Sequence, residues 1–145
     1  MGKTINFKDT YPSAITLFRK WAEIGKDEGM EKGHAKSVNF MFDKLKPFLQ
    51  TPFSVLDVGC GNGWVVRKFK EIETCERSLG IDGAEKMILK AQSLDSENQY
   101  VCADILQWSP PQQFNIIHSM EVLYYLKNPS ELINTIYSNW LNQKG

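Results

Sequence analysis

Neither sign of charge is in surplus: 17 lysines and arginines balance 17 aspartates and glutamates over 145 residues. A polyanion-binding protein normally shows a basic excess or stripe, so nucleic acid is not an expected partner. Cysteine is scarce. Cys60, Cys75 and Cys102 are odd in number and without metal-type spacing, which argues against a disulfide framework and for reduced thiols in a cytoplasmic protein. The two histidines, His34 and His118, form no metal-ligand spacing, and no Ser/His/Asp or Cys/His set is legible. No apolar run approaches membrane-spanning length, so no membrane partner is expected. The N-terminal MGKTINFKDTYPS lacks the apolar core of a signal peptide, and Asn6 stands where a myristoylation motif needs Ser or Thr.

What is present is enough for one domain of ordinary globular composition, 42% hydrophobic and 23% charged. The first part, roughly Phe7 to Gln50, reads as helical. Ile15, Leu17, Phe18 and Trp21 mark one helix; Val38, Met41, Phe42, Leu45, Phe48 and Leu49 recur at steps of three and four and mark another. Between them Gly25, Gly29 and Gly33 predict a break, with His34 in an exposed loop that is a candidate lid. Pro47 and then Thr51-Pro52 are stop signals.

From there the pattern alternates. SVLDV (54–58), SLGID (78–82), QYVCA (99–103) and FNIIH (114–118) read as strands, with helical segments at 64–70, along AEKMILKAQ, and over Leu132–Leu141 behind a cap at Asn128 or Ser130. The connection ILQWSPPQQ reads as a loop with little helix. Strands alternating with helices predict an α/β protein with a parallel sheet.

The sharpest motif is Asp57-Val58-Gly59-Cys60-Gly61-Asn62-Gly63, between a strand and a helix. Its glycines permit a sharp turn and close approach of a ligand to the backbone. The dinucleotide fingerprint G-x-G-x-x-G needs a small third residue, but that position is Trp64; the third glycine comes one place early, at Gly63. A nicotinamide or flavin cofactor and a purely structural glycine turn are the competing readings.

This D-x-G-x-G-x-G arrangement resembles motif I of the class I S-adenosylmethionine-dependent methyltransferases of the small-molecule type. The resemblance runs from about Val55 to Gly145. It implies a Rossmann-like parallel sheet of about four strands in order 3-2-1-4, flanked by helices and preceded by a helical N-terminal segment. It implies a cofactor set of Asp57, Gly59, Cys60, Gly61, Asp82, Gly83, Met87, Asp104, Ile105 and Ser119, with S-adenosylmethionine as the cofactor. Within that set Asp82 would accept the ribose hydroxyls and Asp104 the adenine amino group. Their rival readings are a helix N-cap for Asp82, a turn aspartate for Asp104 and a core methionine for Met87. Glu121, Tyr124 and Tyr125 are the implied substrate contacts, with a helix start and aromatic packing as the alternative. His118 reads as a satisfied core histidine. No catalytic residue is nominated, because positioning alone can supply much of the rate.

The expected organisation is a helical cap or lid over residues 1–50 and a cofactor-binding domain over 51–145. WLNQKG resembles the family turn that leads into a fifth strand, so the sequence reads as truncated there. The expected reaction is methyl transfer to a small-molecule acceptor, with this chain supplying the cofactor-binding half. The alternative is a binding module without catalysis. An uncovered fourth strand is an expected pairing surface for a homo-oligomer.

Overall fold

The computed structural model describes residues 14–143. The N-terminal segment before them, the final Lys144-Gly145, and the side chains of Ile15, Phe18 and Trp21 lie outside the described residues.

Four strands, β1 (Phe53–Val58), β2 (Cys75–Asp82), β3 (Gln99–Cys102) and β4 (Ile116–Ser119), form one parallel sheet in the order β3-β2-β1-β4. The fold is the expected Rossmann-like α/β sheet. β1 pairs Val55 with Ser78 on one side and with Ile116 on the other. A central strand covered on both faces must be apolar on both, and Val55, Leu56 and Val58 are each essentially inaccessible.

Helices cover the two faces. On one, α2 (Lys26–Leu45) and α3 (Trp64–Lys70) bring Val38, Val65 and Phe69 against Phe53, Val55 and Ile116. On the other, α5 (Pro129–Thr135) and the π-helical turn Ile136–Trp140 bring Leu132 and Trp140 against Leu56, Val58, Leu79, Ile81 and Phe114. Helix α4 (Glu85–Leu94) seals the β2 side with Ile88 and Ala91 on Val66 and Tyr100. Val38 and Leu49 share a core with Phe53 and Phe69, so the second half of α2 is built into the sheet's packing.

Three local expectations need correction. The glycine-rich segment is not broken: after α1 (Ala14–Glu23) the chain turns once, at Gly25, and α2 then runs through Gly29 and Gly33. Its anchors are tertiary, the buried Asp27 near one end and Val38 in the middle, and they outweigh about 1 kcal/mol of intrinsic penalty per glycine. His34 therefore lies on a helix. Finally, β4 starts at Ile116, because Phe114 is engaged elsewhere. Its N–H donates to Trp140 O at 2.9 Å and its carbonyl accepts from Asn142 N–H at 2.8 Å, a parallel bridge to Leu141 beyond the π-helical turn.

Candidate functional site

In an open parallel sheet, ligands collect at the carboxyl ends of the strands, where the strand order reverses. Here that point lies between β1 and β4. A cavity of about 280 Å³ opens there, bounded by the 59–64 turn, the ends of β2 and β3, the segment after β4, and α2.

The turn is held by backbone. Gly59 N–H and Cys60 N–H both donate to Ile81 O, at 2.8 and 3.0 Å, and Gly63 N–H closes back on Cys60 O at 3.0 Å. Gly59, Gly61 and Gly63 all have positive φ. Cys60 lines the cavity and is itself buried. Its thiol packs among Val66, Ile88, Ala91 and Tyr100, and burial pushes its pKa well up, so it is no nucleophile.

Asp82, at the end of β2, accepts Gly61 N–H at 2.9 Å through Oδ2 and Ala84 N–H at 2.8 Å through Oδ1. One carboxylate thus ties the glycine turn to the start of α4, and each oxygen keeps a lone pair for a further donor. Burial raises its pKa, and the backbone donors oppose the rise only in part. Asp104 is exposed at the rim, its Oδ1 accepting Leu106 N–H at 2.9 Å. Gly83 and the apolar Met87, Ile105 and Leu106 line the same cavity as these two carboxylates.

On the β1/β4 side, Asp57 and His118 are both buried, 3% and 6% exposed, and meet through Oδ1 and Nδ1 at 2.8 Å. Burial works against a charged imidazole. The charge and hydrogen bond of Asp57 outweigh it, and His118 lies above its usual pKa. Ser119 does not line the cavity; its hydroxyl donates to Val58 O at 2.9 Å and closes the end of β1.

Past β4 the chain passes through Glu121 at φ 59°, a left-handed conformation unusual for a non-glycine residue. Glu121 and Tyr125 line the cavity, whereas Tyr124 does not. Tyr124 is 65% exposed and donates its O–H to Glu121 Oε2 at 2.5 Å. Burial and that hydrogen bond raise its pKa, so it is a proton donor at neutral pH and not a phenolate base.

Several lining residues lie outside the motifs read from the sequence, among them Asp27 and Met30 on α2. Asp27 is the most consequential. It is buried on α2, accepts Asn62 Nδ2 at 2.9 Å through one oxygen, and takes Lys90 Nζ at 2.9 Å on the other. It therefore joins α2, the glycine turn and α4 across sequence gaps no local pattern reports. Lys90 is raised above its usual pKa by this partnership. The acidic and imidazole side chains on the cavity wall are those of Asp27, Asp57, Asp82, Asp104 and Glu121, with His34 and His118; among the described residues no lysine or arginine lines it.

A family model for the methyltransferase domain matches residues 27–145. Trans-aconitate 2-methyltransferases from Escherichia coli strains, K12 / DH10B among them, are 34% identical over 91 residues, which is 63% of this chain and 36% of theirs. The chain thus spans about a third of the length of these curated relatives. Among solved structures, a Mesorhizobium loti S-adenosylmethionine-dependent methyltransferase is 27% identical, with TM-score 0.58 over 68% of this chain and 49% of that one. The complex of the Haloferax volcanii Trm112 methyltransferase activator with a methyltransferase gives TM-score 0.74 at 23% identity, over 92% and 57%. A DhpI complex with S-adenosylhomocysteine gives 0.74 at 18%, over 92% and 64%. The last two likenesses bear on the fold alone.

Proposed function

Because the chain belongs to the methyltransferase-domain family, whose cofactor is S-adenosylmethionine, we propose that its cavity binds that cofactor and serves methyl transfer to a small-molecule acceptor. The observation that carries this reading is the sign of the wall: no lysine or arginine among the described lining residues, and five carboxylates, of which Asp27 is paired with Lys90 and Asp57 with His118, while Asp82, Asp104 and Glu121 form no ion pair among the described residues. A dinucleotide would set its pyrophosphate against that wall, and like charges in a partly desolvated site repel. A cofactor without phosphate and with sulfonium and ammonium charges is matched by it.

The shape agrees with the sign. At Gly61 an added Cβ would meet nothing within 4 Å, so the turn leaves a space beside the backbone that a ligand can enter. A lining that holds the apolar Met87, Ile105 and Leu106 together with Asp82 and Asp104 suits a flat base and its sugar. Hydroxyl or amino donors would face the carboxylates, and the ring would face apolar side chains. Asp57, Gly59, Cys60, Gly61, Asp82, Gly83, Met87, Asp104 and Ile105 are proposed to hold the cofactor, and Glu121 and Tyr125 to meet the acceptor. Ser119 is proposed to act only by fixing the β1 end, and Tyr124 by restraining Glu121.

Bound here, S-adenosylmethionine would supply an electrophilic methyl group, so the protein's task is alignment and exclusion of water. Calorimetry should show the protein binding S-adenosylhomocysteine and not NAD; the reverse result would overturn the reading. Methyl transfer from labelled cofactor into a metabolite pool then separates an enzyme from a binding module. We further propose a cytoplasmic location, which cell fractionation checks. We also propose association of two copies through the outer side of β4; a strictly monomeric profile in dilute solution would remove that part.

A further inference from the structure

His118 presents two ring nitrogens to two acceptors. Nδ1 faces Asp57 Oδ1 at 2.8 Å, and Nε2 faces the Met41 sulfur at 3.2 Å. A carboxylate and a thioether offer lone pairs only. A neutral imidazole has one N–H, so one of the two contacts would set lone pair against lone pair. The imidazolium satisfies both. The Phe69 ring, edge to face at 5.9 Å, closes the α3 side without charge. Around the ring, β1 thus contributes a carboxylate, α2 a thioether and α3 an aromatic ring.

We propose that the His118 imidazolium competes with the positive charge of the cofactor, so that the Asp57–His118 pair sets how strongly the cavity prefers the sulfonium form to its neutral thioether product. The inference rests on the cofactor reading of the cavity. Both side chains line that cavity, yet neither is free to serve the cofactor alone. With His118 charged, the pair is neutral and Asp57 has no net charge left for a cation. With His118 neutral, the pair carries one negative charge into the site. Entry of a sulfonium therefore favours loss of the His118 proton, while S-adenosylhomocysteine, whose sulfur is uncharged, exerts less of that pull.

The other acidic and basic groups on the cavity are Asp27 with its Lys90 partner, Asp82, Asp104, Glu121 and His34. His34 is the other imidazole, so a control must remove it. A sulfonium that shifts His118 by about one pKa unit changes the affinity ratio of the two ligands about tenfold across the titration.

The experiment has three readings. Ring-proton NMR of the ligand-free protein should place the His118 midpoint above the usual ~6.5. Calorimetry in buffers of different ionisation enthalpy should show proton release on binding S-adenosylmethionine and less on binding S-adenosylhomocysteine. The affinity ratio should rise with pH in the natural protein and in His34→Gln, but stay flat in His118→Asn, which keeps an N–H toward Asp57 and cannot titrate. A flat ratio in the natural protein, a slope that survives in His118→Asn, or a midpoint below about 6.5 overturns the proposal. Should His118→Asn fail to fold, the first two readings decide on the natural protein alone. If neither ligand binds at any pH, the cofactor reading falls and the competition with it; two ligands that bind without a pH-dependent ratio sink the competition only.

Discussion

Gly59→Ala should lower folding stability by roughly 2–5 kcal/mol, a large part of the roughly 5–15 kcal/mol typical of a domain. Two costs combine. Gly59 holds φ 77°, where a Cβ crowds the carbonyl oxygen and costs about 1–2 kcal/mol. The new Cβ would also clash with Val122 Cγ2, lying closer than carbon atoms approach, which adds an overpacking cost of about 1–3 kcal/mol. Val122 cannot retreat freely, because it sits beside Glu121, itself in a left-handed conformation, and its carbonyl accepts Tyr125 N–H at 3.1 Å. Denaturant unfolding at an unchanged slope would measure the loss.

Gly61→Ala separates folding from binding. Its φ of 54° carries the same backbone cost, but the Cβ meets nothing within 4 Å. Stability should therefore fall by only about 1–2 kcal/mol. The methyl would occupy space reserved for the ligand, and affinity for S-adenosylhomocysteine should drop at least about tenfold, or 1.4 kcal/mol. Unchanged affinity in a folded Gly61→Ala would mean that no ligand approaches the backbone there.

The contrast between these neighbours explains what sequence could and could not disclose. The glycine turn was legible because its strand, turn and helix are contiguous. So were β1 and β2, whose apolar runs fill two-sided burial. The continuity of α2 was not legible, since Gly29 and Gly33 each argue locally for a break. Both sit where an added Cβ meets nothing, and the helix is fixed instead by Asp27 reaching Asn62 and Lys90. Local propensity lost to distant contacts. The roles of Cys60 and Ser119 were blurred for another reason: a motif gives the residue's place, not the direction of its side chain. Cys60 points into the α3/α4 core and Ser119 back onto β1. Tyr124 and Tyr125 are adjacent, and only Tyr125 lines the cavity.

Substitution of Asp82, whose side chain lines the cavity and holds the glycine turn, should have the largest effect on binding. The sequence offers a helix N-cap and a ribose acceptor, two roles that could coexist, but α4 has Ala84 as its N-cap with no side-chain cap, so Asp82 braces the segment leading into the helix instead of capping it. In the structure the Asp82 carboxylate already accepts Ala84 N–H at the start of α4, and Gly61 N–H from the turn. Lone pairs remain for the ligand. Asp82→Ala removes all of these acceptors. Hydrogen bonds to a charged group contribute about 1.5–3 kcal/mol, so affinity for adenosine or S-adenosylhomocysteine should fall about 10- to 150-fold.

Asp82→Asn is the sharper test. It keeps one oxygen, most simply for Ala84 N–H, and turns the other position from acceptor to donor. Gly61 N–H and the ligand's hydroxyls would then face an amide N–H. Affinity should fall nearly as far as in Asp82→Ala while thermal stability falls less. If stability drops and adenosine binds as before, Asp82 is a brace between the turn and the start of α4 and nothing more. pH supplies an independent check. Because burial raises its pKa, the ionised acceptor is lost sooner on acidification than for an ordinary aspartate near 3.9. The sign follows from which form binds: the ligand's donors favour the carboxylate, so binding lowers the pKa of Asp82, and affinity declines as pH falls through the raised value. Adenosine, which lacks sulfur and ammonium, reports this decline without the His118 competition, and the decline should vanish in Asp82→Asn.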